Sequence, residues 1–282
     1  MKNLTVIITI IALSLGAAVL SVLLYFANRK PPIKTEAQES NVQKFQTMDG
    51  FVQNAMKHLN RDGRTKWDEI QKKVNSQTGT EKKRWLDSAA YFWDLEKKPD
   101  IASVYSQKVA ENSGLAKDWF FAGQRFYFAV RFVKDPSELP ALYSNAIACM
   151  EKGLKLEPNN TDAKIDLAAC MVEGTQDPMK GVTLLREIEK TDSMNLKLQL
   201  NFAFFSVRSK QWDRAISRFN KVIKIDTTYL EAYLHLADAY EQKGELDNTI
   251  SSLEKYAAKT DNLLAKTTIK EYIAKLKKSA VK

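Results

Sequence analysis

The sequence predicts an all-α protein, in which a single N-terminal transmembrane helix precedes an α-solenoid of about five helical hairpins and a C-terminal capping helix. Three observations lead to this fold class. Residues 4–27 are apolar and uncharged. Glycine (10) and proline (7) are scarce among the 282 residues, while Ala, Leu, Lys, Glu and Gln, which favour helices, fill the later segments. In those segments, residues of similar size recur at intervals of 34 positions.

The apolar segment is long enough to cross a bilayer. Residues 4–27 would form a helix of about 36 Å, against a hydrocarbon core of about 30 Å. The alternative is a cleaved signal peptide, because Lys2 supplies a basic start and residues 14–21 are rich in small side chains. The apolar stretch is longer than in signal peptides, and no small-x-small cleavage site follows it. We therefore expect an uncleaved anchor over residues 1–28.

The orientation of this anchor depends on which signal dominates. Arg29, Lys30 and Lys34 follow the segment whereas only Lys2 precedes it, which favours a cytoplasmic C-terminal domain. A short N-terminal tail before a long apolar helix is also the pattern of bacterial signal-anchor proteins with an exported domain. We favour export, and hence a bacterial inner-membrane protein with a periplasmic domain. Residues 29–44 read as a polar linker.

The 34-residue interval divides the rest of the chain into units. Trp85 and Trp119 are one interval apart, and so are Phe219 and Leu253. The predicted units are 82–115, 116–160, 161–195, 196–229 and 230–263. A helical lead-in with Gly63 at its turn is expected over 45–81, and a capping helix and tail over 264–282.

These recurring residues resemble the tetratricopeptide repeat family, most clearly in the unit 230–263. The family pattern has large residues at positions 7 and 11 of each unit and small ones at positions 8 and 20. Leu236 and Tyr240 match the large positions, and Ala237 and Thr249 the small ones. The resemblance implies that small residues let the two helices of a unit approach, while large ones fill the space between units.

The resemblance also implies a concave groove, lined by fixed positions on the first helix of each unit. Transferred to this sequence, these positions give Phe120, Gln124, Tyr127, Phe128, Lys197, Asn201, Phe204, Arg208, Glu231 and His235. Exposed aromatic residues with an arginine are typical binding hot spots. The alternative is that the phenylalanines belong to the core. A buried unpaired cation is costly, which favours exposure of Lys197 and Arg208.

No pattern of catalysis is present in the sequence. His58 and His235 are isolated, and no nucleotide-binding, metal-binding or nucleophile motif occurs. We therefore predict neither an enzyme nor a bound metal or cofactor. Cys149 and Cys170 lie in apolar stretches, where they would be either buried free thiols or an oxidised pair.

Together these features predict a membrane-anchored scaffold that binds a protein or peptide partner in its groove. The expected role is as an accessory to envelope protein assembly, secretion or maturation. An alternative is a basic surface that binds anionic lipid or nucleic acid, because the net charge is +9. Acidic residues interrupt the basic runs, which ranks this whole alternative second, and nucleic acid is not the expected partner. Homo-oligomerisation stays open.

Overall fold

The computed structural model describes residues 48–279. The predicted anchor over 1–28 and the linker over 29–44 lie outside the described residues. None of the helices between positions 48 and 279 is long and apolar enough to cross a membrane.

The described chain is helical throughout, and consecutive helices pack as antiparallel pairs. The helices are α1 Met48–Lys57, α2 Arg61–Ser76, α3 Gly79–Leu95, α4 Pro99–Ser113, α5 Ala116–Ala129, α6 Leu139–Leu156, α7 Thr161–Gly174, α8 Pro178–Thr191, α9 Leu196–Arg208, α10 Trp212–Ile225, α11 Glu231–Lys243, α12 Leu246–Lys259 and α13 Leu263–Ser279. Two short 3₁₀ turns, Val130–Phe132 and Pro136–Glu138, lie between α5 and α6. The prediction of an all-α protein built from helical hairpins is confirmed for these residues.

The described residues form two compact units, 48–188 and 189–279. The first contains α1 to α7 and most of α8, and the second begins with the last turn of α8. In the first unit, Trp67 of the predicted lead-in is fully buried, with ring centroids 4.9–5.4 Å from those of Phe92, Trp93 and Tyr105. The lead-in therefore shares its core with α3 and α4.

Asparagine side chains fix where several helices begin. The side-chain oxygens of Asn160, Asn195 and Asn262 each accept a hydrogen bond from the backbone N–H three residues later, at 3.0 Å. Asn60 caps α2 in the same way, at 2.7 Å from the N–H of Gly63. The predicted turn at Gly63 is therefore wrong. The chain turns before Asn60, and Gly63 is buried in the first turn of α2.

The small residues of the repeat lie where paired helices approach each other. A Cβ atom added to Gly181 would lie 2.4 Å from the carbonyl oxygen of Ala168, so the backbones of α7 and α8 are in direct contact there. In the second unit, Ala237 and Thr249 are fully buried at the matching positions. The close approach implied by the repeat pattern is thus present in both units.

The last helix covers the apolar surface left by the hairpin before it. Ile269 and Ile273 of α13 are buried in one cluster with Leu253 and Tyr256 of α12. The hydroxyl of Tyr272 donates a 2.7 Å hydrogen bond to the Oε1 atom of Glu241 on α11. Both apolar and polar contacts therefore attach α13 to the second unit.

Candidate partner-binding faces

The structure separates the ten predicted groove residues into buried and accessible ones. Phe120 and His235 are buried, and Gln124 and Phe128 are exposed. The other six are half-buried: Tyr127, Lys197, Asn201, Phe204, Arg208 and Glu231. Four of the ten lie in the first unit and six in the second.

Phe120 is a core residue, contrary to the expected exposure in a groove. It packs in one cluster with Met150, Ala163 and Leu167. Its ring occupies the space beside Gly153 on α6, where an added Cβ would lie 2.4 Å from the ring. The neighbouring Phe121 is accessible instead, with 52% of its surface exposed.

Phe121 begins a stripe in which exposed phenylalanines alternate with half-buried arginines. The stripe continues through Arg125, Phe128 and Arg131 to Phe132, along α5 and the 3₁₀ turn that follows it. The guanidinium of Arg125 lies 5.7 Å from the ring centroid of Phe121, and that of Arg131 lies 5.5 Å from the centroid of Phe128. The Phe128 and Phe132 rings are 5.0 Å apart. These stacking contacts hold the aromatic rings at the surface.

Helix α3 carries two exposed apolar residues within one turn of Asp94, Tyr91 at 65% and Leu95 at 63%. The two helices are joined by an ion pair in which Arg125 Nη2 lies 2.6 Å from Asp94 Oδ1. Phe121 and Phe128, on the same helix as Arg125, are 52% and 43% exposed. We define the aromatic face as Tyr91, Leu95, Phe121, Arg125, Phe128, Arg131 and Phe132.

On its other side, α5 is bound to α7 by polar contacts. Gln124 Nε2 donates to Asp166 Oδ2 at 2.9 Å. Burial and then the carboxylate of Glu173 raise the pKa of Tyr127 well above its ordinary value, so the phenol stays neutral. Tyr143 donates a 3.0 Å hydrogen bond to the same glutamate. Gln124 and Tyr127 therefore position α5 against α7, and Phe128 is left as the predicted residue that is most available to a partner.

The aromatic face ends at a concavity. A pocket of about 380 Å³ opens beside Phe132, with Ala129 and Glu138 in its wall. Burial, followed by the nearby carboxylates of Asp100 and Asp135, raises the pKa of Glu138. Most of the residues that line this pocket are charged, among them Lys98, Asp100 and Lys134.

In the second unit, the predicted residue His235 is enclosed by two phenylalanines. Its ring stacks on Phe219, with centroids 4.9 Å apart, and meets the edge of Phe204 at 5.0 Å. Burial lowers the pKa of His235 to about 3, so the imidazole is neutral at physiological pH. His235 does not reach a groove surface, and half-buried Phe204 packs against the same core.

Lys197, Asn201 and Arg208 lie along α9, where each side chain is half-buried. The amide of Asn201 donates a 2.8 Å hydrogen bond to the backbone carbonyl of Lys197, four residues earlier on the same helix. Glu231 is half-buried at the start of α11. Within the second unit, the predicted set therefore presents polar groups rather than exposed rings.

Sequence reasoning missed a polar network in the second unit. Gln199 is fully buried at a position where the repeat pattern has a large aromatic residue. Arg218 donates hydrogen bonds to Gln199, at 2.8 Å, and to Glu189, and its guanidinium lies 4.4 Å from the centroid of the Phe202 ring. This network fills the aromatic position with a satisfied polar group.

No disulfide joins the two cysteines, which the sequence left as either buried thiols or an oxidised pair. Cys149 and Cys170 are both buried. Burial raises the pKa of Cys149 to about 12, which keeps this thiol protonated. Within residues 48–279, no three His, Cys, Asp or Glu side chains converge in a way that could hold a metal ion.

Residues 230–257 match the family model of the tetratricopeptide repeat. A tetratricopeptide repeat protein from Parabacteroides merdae is similar in structure, with a TM-score of 0.51 and 12% identity over 82% of this chain and 89% of that chain. PilW, a widely conserved type IV pilus biogenesis factor, has a TM-score of 0.50 and 14% identity, over 79% of this chain and 98% of that chain. No curated protein matches the sequence. The described chain thus has a tetratricopeptide-like helical-repeat fold.

Proposed function

We propose that this chain is a membrane-anchored helical-repeat scaffold that holds a protein or peptide partner on its aromatic face. The observation that carries the proposal is the presence of three exposed phenylalanines, Phe121, Phe128 and Phe132, with arginines stacked on two of them. Exposed phenylalanine rings offer apolar area to a partner at little cost in side-chain conformational entropy, and arginine adds directional hydrogen-bond donors.

The chemistry of the face favours binding over catalysis. Its cations neutralise neighbouring acids or stack on rings, as in the ion pair of Arg125 with Asp94. An apolar partner segment would cover Phe121 and Phe128, and one of its side chains would enter the pocket beside Phe132. The resemblance to the tetratricopeptide repeat family likewise implies a binding surface on the first helix of each hairpin.

The anchor and the location are part of the same proposal. The uncharged stretch over 4–27 would hold the scaffold at a bacterial inner membrane, with residues 48–279 in the periplasm. A scaffold at this site would assist envelope assembly, secretion or maturation. Protease added to spheroplasts should cut the exposed repeats if they are periplasmic, and should spare them if they are cytoplasmic.

The test of the aromatic face compares variants of the full chain in its own membranes. Phe121→Ala combined with Phe128→Ala removes two candidate hot spots, each worth about 2 kcal/mol, which should weaken partner binding by close to a thousandfold. After chemical crosslinking, the partner should copurify with the native chain and not with the double variant.

The matched control is Leu156→Ala combined with Met179→Ala, because these residues of the same unit are 55% and 54% exposed and lie outside the aromatic face. This control should retain the partner. Equal recovery from all three chains would show that the aromatic face is not the binding surface.

A further inference from the structure

Helix α13 carries two leucines on its solvent side. Leu263 is 77% exposed and Leu264 is 53% exposed, at the start of the helix. The buried side of the same helix is filled by Ile269, Tyr272 and Ile273, so the two leucines are additional to the apolar surface that attaches α13 to its unit. They form an apolar projection at one end of the helix.

The rest of the exposed side of α13 is strongly basic. The helix contains five lysines and one glutamate, Glu271, for a net charge of +4. Lys270, Lys275 and Lys278 are exposed and Lys266 is half-buried, and among the described residues no carboxylate oxygen lies within ion-pair distance of any of these four. The exposed side therefore has an uncompensated positive charge.

The adjacent helix α12 extends this basic surface. Lys255 and Lys259 are exposed one turn apart. Glu254 lies in the cleft between the helices, but its Oε1 atom is 3.2 Å from the Nζ atom of Lys277, which neutralises it. In the linear sequence, acidic residues interrupt the basic runs. In the structure, Glu254 is paired with Lys277, and Lys255, Lys259 and Lys270 stay exposed around this pair.

The residue types indicate which anionic partner fits this surface. From residue 219 onwards the chain contains lysine but no arginine, and the aromatic rings of α12 and α13, Tyr256 and Tyr272, are buried. Nucleic-acid binding draws on arginine forks and on exposed rings that stack with bases. Lysine is a hydrated point charge that suits a diffuse negative surface, and exposed leucines suit an acyl-chain boundary.

We propose that the exposed side of α13 binds the surface of an anionic membrane. The lysines contact the lipid headgroups, while Leu263 and Leu264 enter the boundary between headgroups and acyl chains. This contact is independent of the aromatic face, which lies in the other unit. It would fix the second unit at a bilayer surface whatever partner the first unit holds.

The experiment uses the full chain in phosphatidylcholine nanodiscs, so that its apolar N-terminal segment is supplied with lipid. Sucrose-loaded vesicles are added and sedimented, and the bound protein is measured at low salt. Vesicles in which about a third of the lipid is phosphatidylglycerol should carry the protein down, and pure phosphatidylcholine vesicles should not. Equal sedimentation with both vesicles would overturn the proposal.

Two variants test the two chemical parts of the contact. Replacing Lys266, Lys270 and Lys275 with glutamine should lower the partition coefficient roughly a hundredfold, about fivefold for each lysine. Leu263→Ser with Leu264→Ser should lower it about tenfold without changing the charge.

A charge-matched control replaces three exposed lysines of the first unit, Lys72, Lys117 and Lys155, with glutamine. It should bind vesicles as the native chain does. If this control loses binding equally, the attraction depends on net charge and the assignment to α13 is wrong. If short duplex DNA binds the native chain and the leucine variant equally, and displaces both from vesicles, the surface is a nucleic-acid site and the lipid assignment is wrong.

Discussion

The contact between α7 and α8 gives a quantitative test of the packing. In Gly181→Ala, the new Cβ would lie 2.4 Å from the backbone oxygen of Ala168 and 3.0 Å from the backbone nitrogen of Val172. Backbone atoms cannot rotate away as a flexible side chain can, so the two helices must separate. Overpacking of this kind costs about 3 kcal/mol, and the helix propensity of alanine returns about 1 kcal/mol. The expected net loss of stability is about 2 kcal/mol.

Urea unfolding of the full chain, followed by far-UV circular dichroism, measures this loss. With a slope of about 2 kcal/mol per molar urea, the midpoint of the first unit's transition should fall by about 1 M. Gly50→Ala in α1 is the control, because nothing lies within 4 Å of its added Cβ. That variant should be as stable as the native chain or more stable. A Gly181→Ala chain that unfolds at or above the native midpoint would refute the close approach of α7 and α8.

Four further outcomes follow from the polar and titratable groups. Arg218→Met should destabilise the second unit by about 2 kcal/mol in urea unfolding, because buried Gln199 loses a partner. The hydrogen bond from Arg218 lowers the pKa of Glu189. The ionised Glu189 therefore stabilises the fold above the ordinary glutamate pKa, and this stabilisation is lost as the pH falls through the lowered pKa. Glu189→Gln should lose less stability in acid than the native chain does. The pKa of His235 is lowered to about 3, so between that pH and about 6.5 only the unfolded chain binds a proton at this residue. The free energy of unfolding should therefore decrease by about 1.4 kcal/mol for each pH unit by which the pH falls through this window. His235→Phe should remove this dependence. Cys149 should react with a thiol reagent only after unfolding, as measured by absorbance.

The repeat spacing was sufficient to predict the helical hairpins and the positions of close helix contact. Ala237 and Thr249 were placed by the repeat interval, and the structure buries both. Steric demand explains this success, since a position that meets another backbone accepts only a small residue, and that restriction is visible in the sequence.

The burial of Phe120 and the exposure of Phe121 could not be predicted from the sequence. Adjacent residues on a helix differ by about 100° in direction, and only Phe120 stood at a predicted groove position. Phe120 is buried because Gly153, on another helix, has no side chain and leaves room for its ring. That room is a property of the packed pair of helices and has no local sequence signal.

His235 and Gln199 illustrate the same limit in the second unit. The predicted groove position of His235 is closed by Phe204 and Phe219, which come from two other helices. Gln199 is satisfied by Arg218, 19 positions later, and by Glu189, 10 positions earlier. Contacts at such separations follow from tertiary packing and not from helical periodicity.

Site-specific photocrosslinking in intact membranes tests the aromatic face most directly. A photoreactive phenylalanine analogue is placed in the full chain at Phe121, at Phe128, or at the control position Leu156, which is 55% exposed outside the face. Both positions in the face should yield an adduct with the same partner, and Leu156 should yield none. An adduct of that partner at Leu156, with none at Phe121 and Phe128, would contradict the proposal that the aromatic face holds the partner.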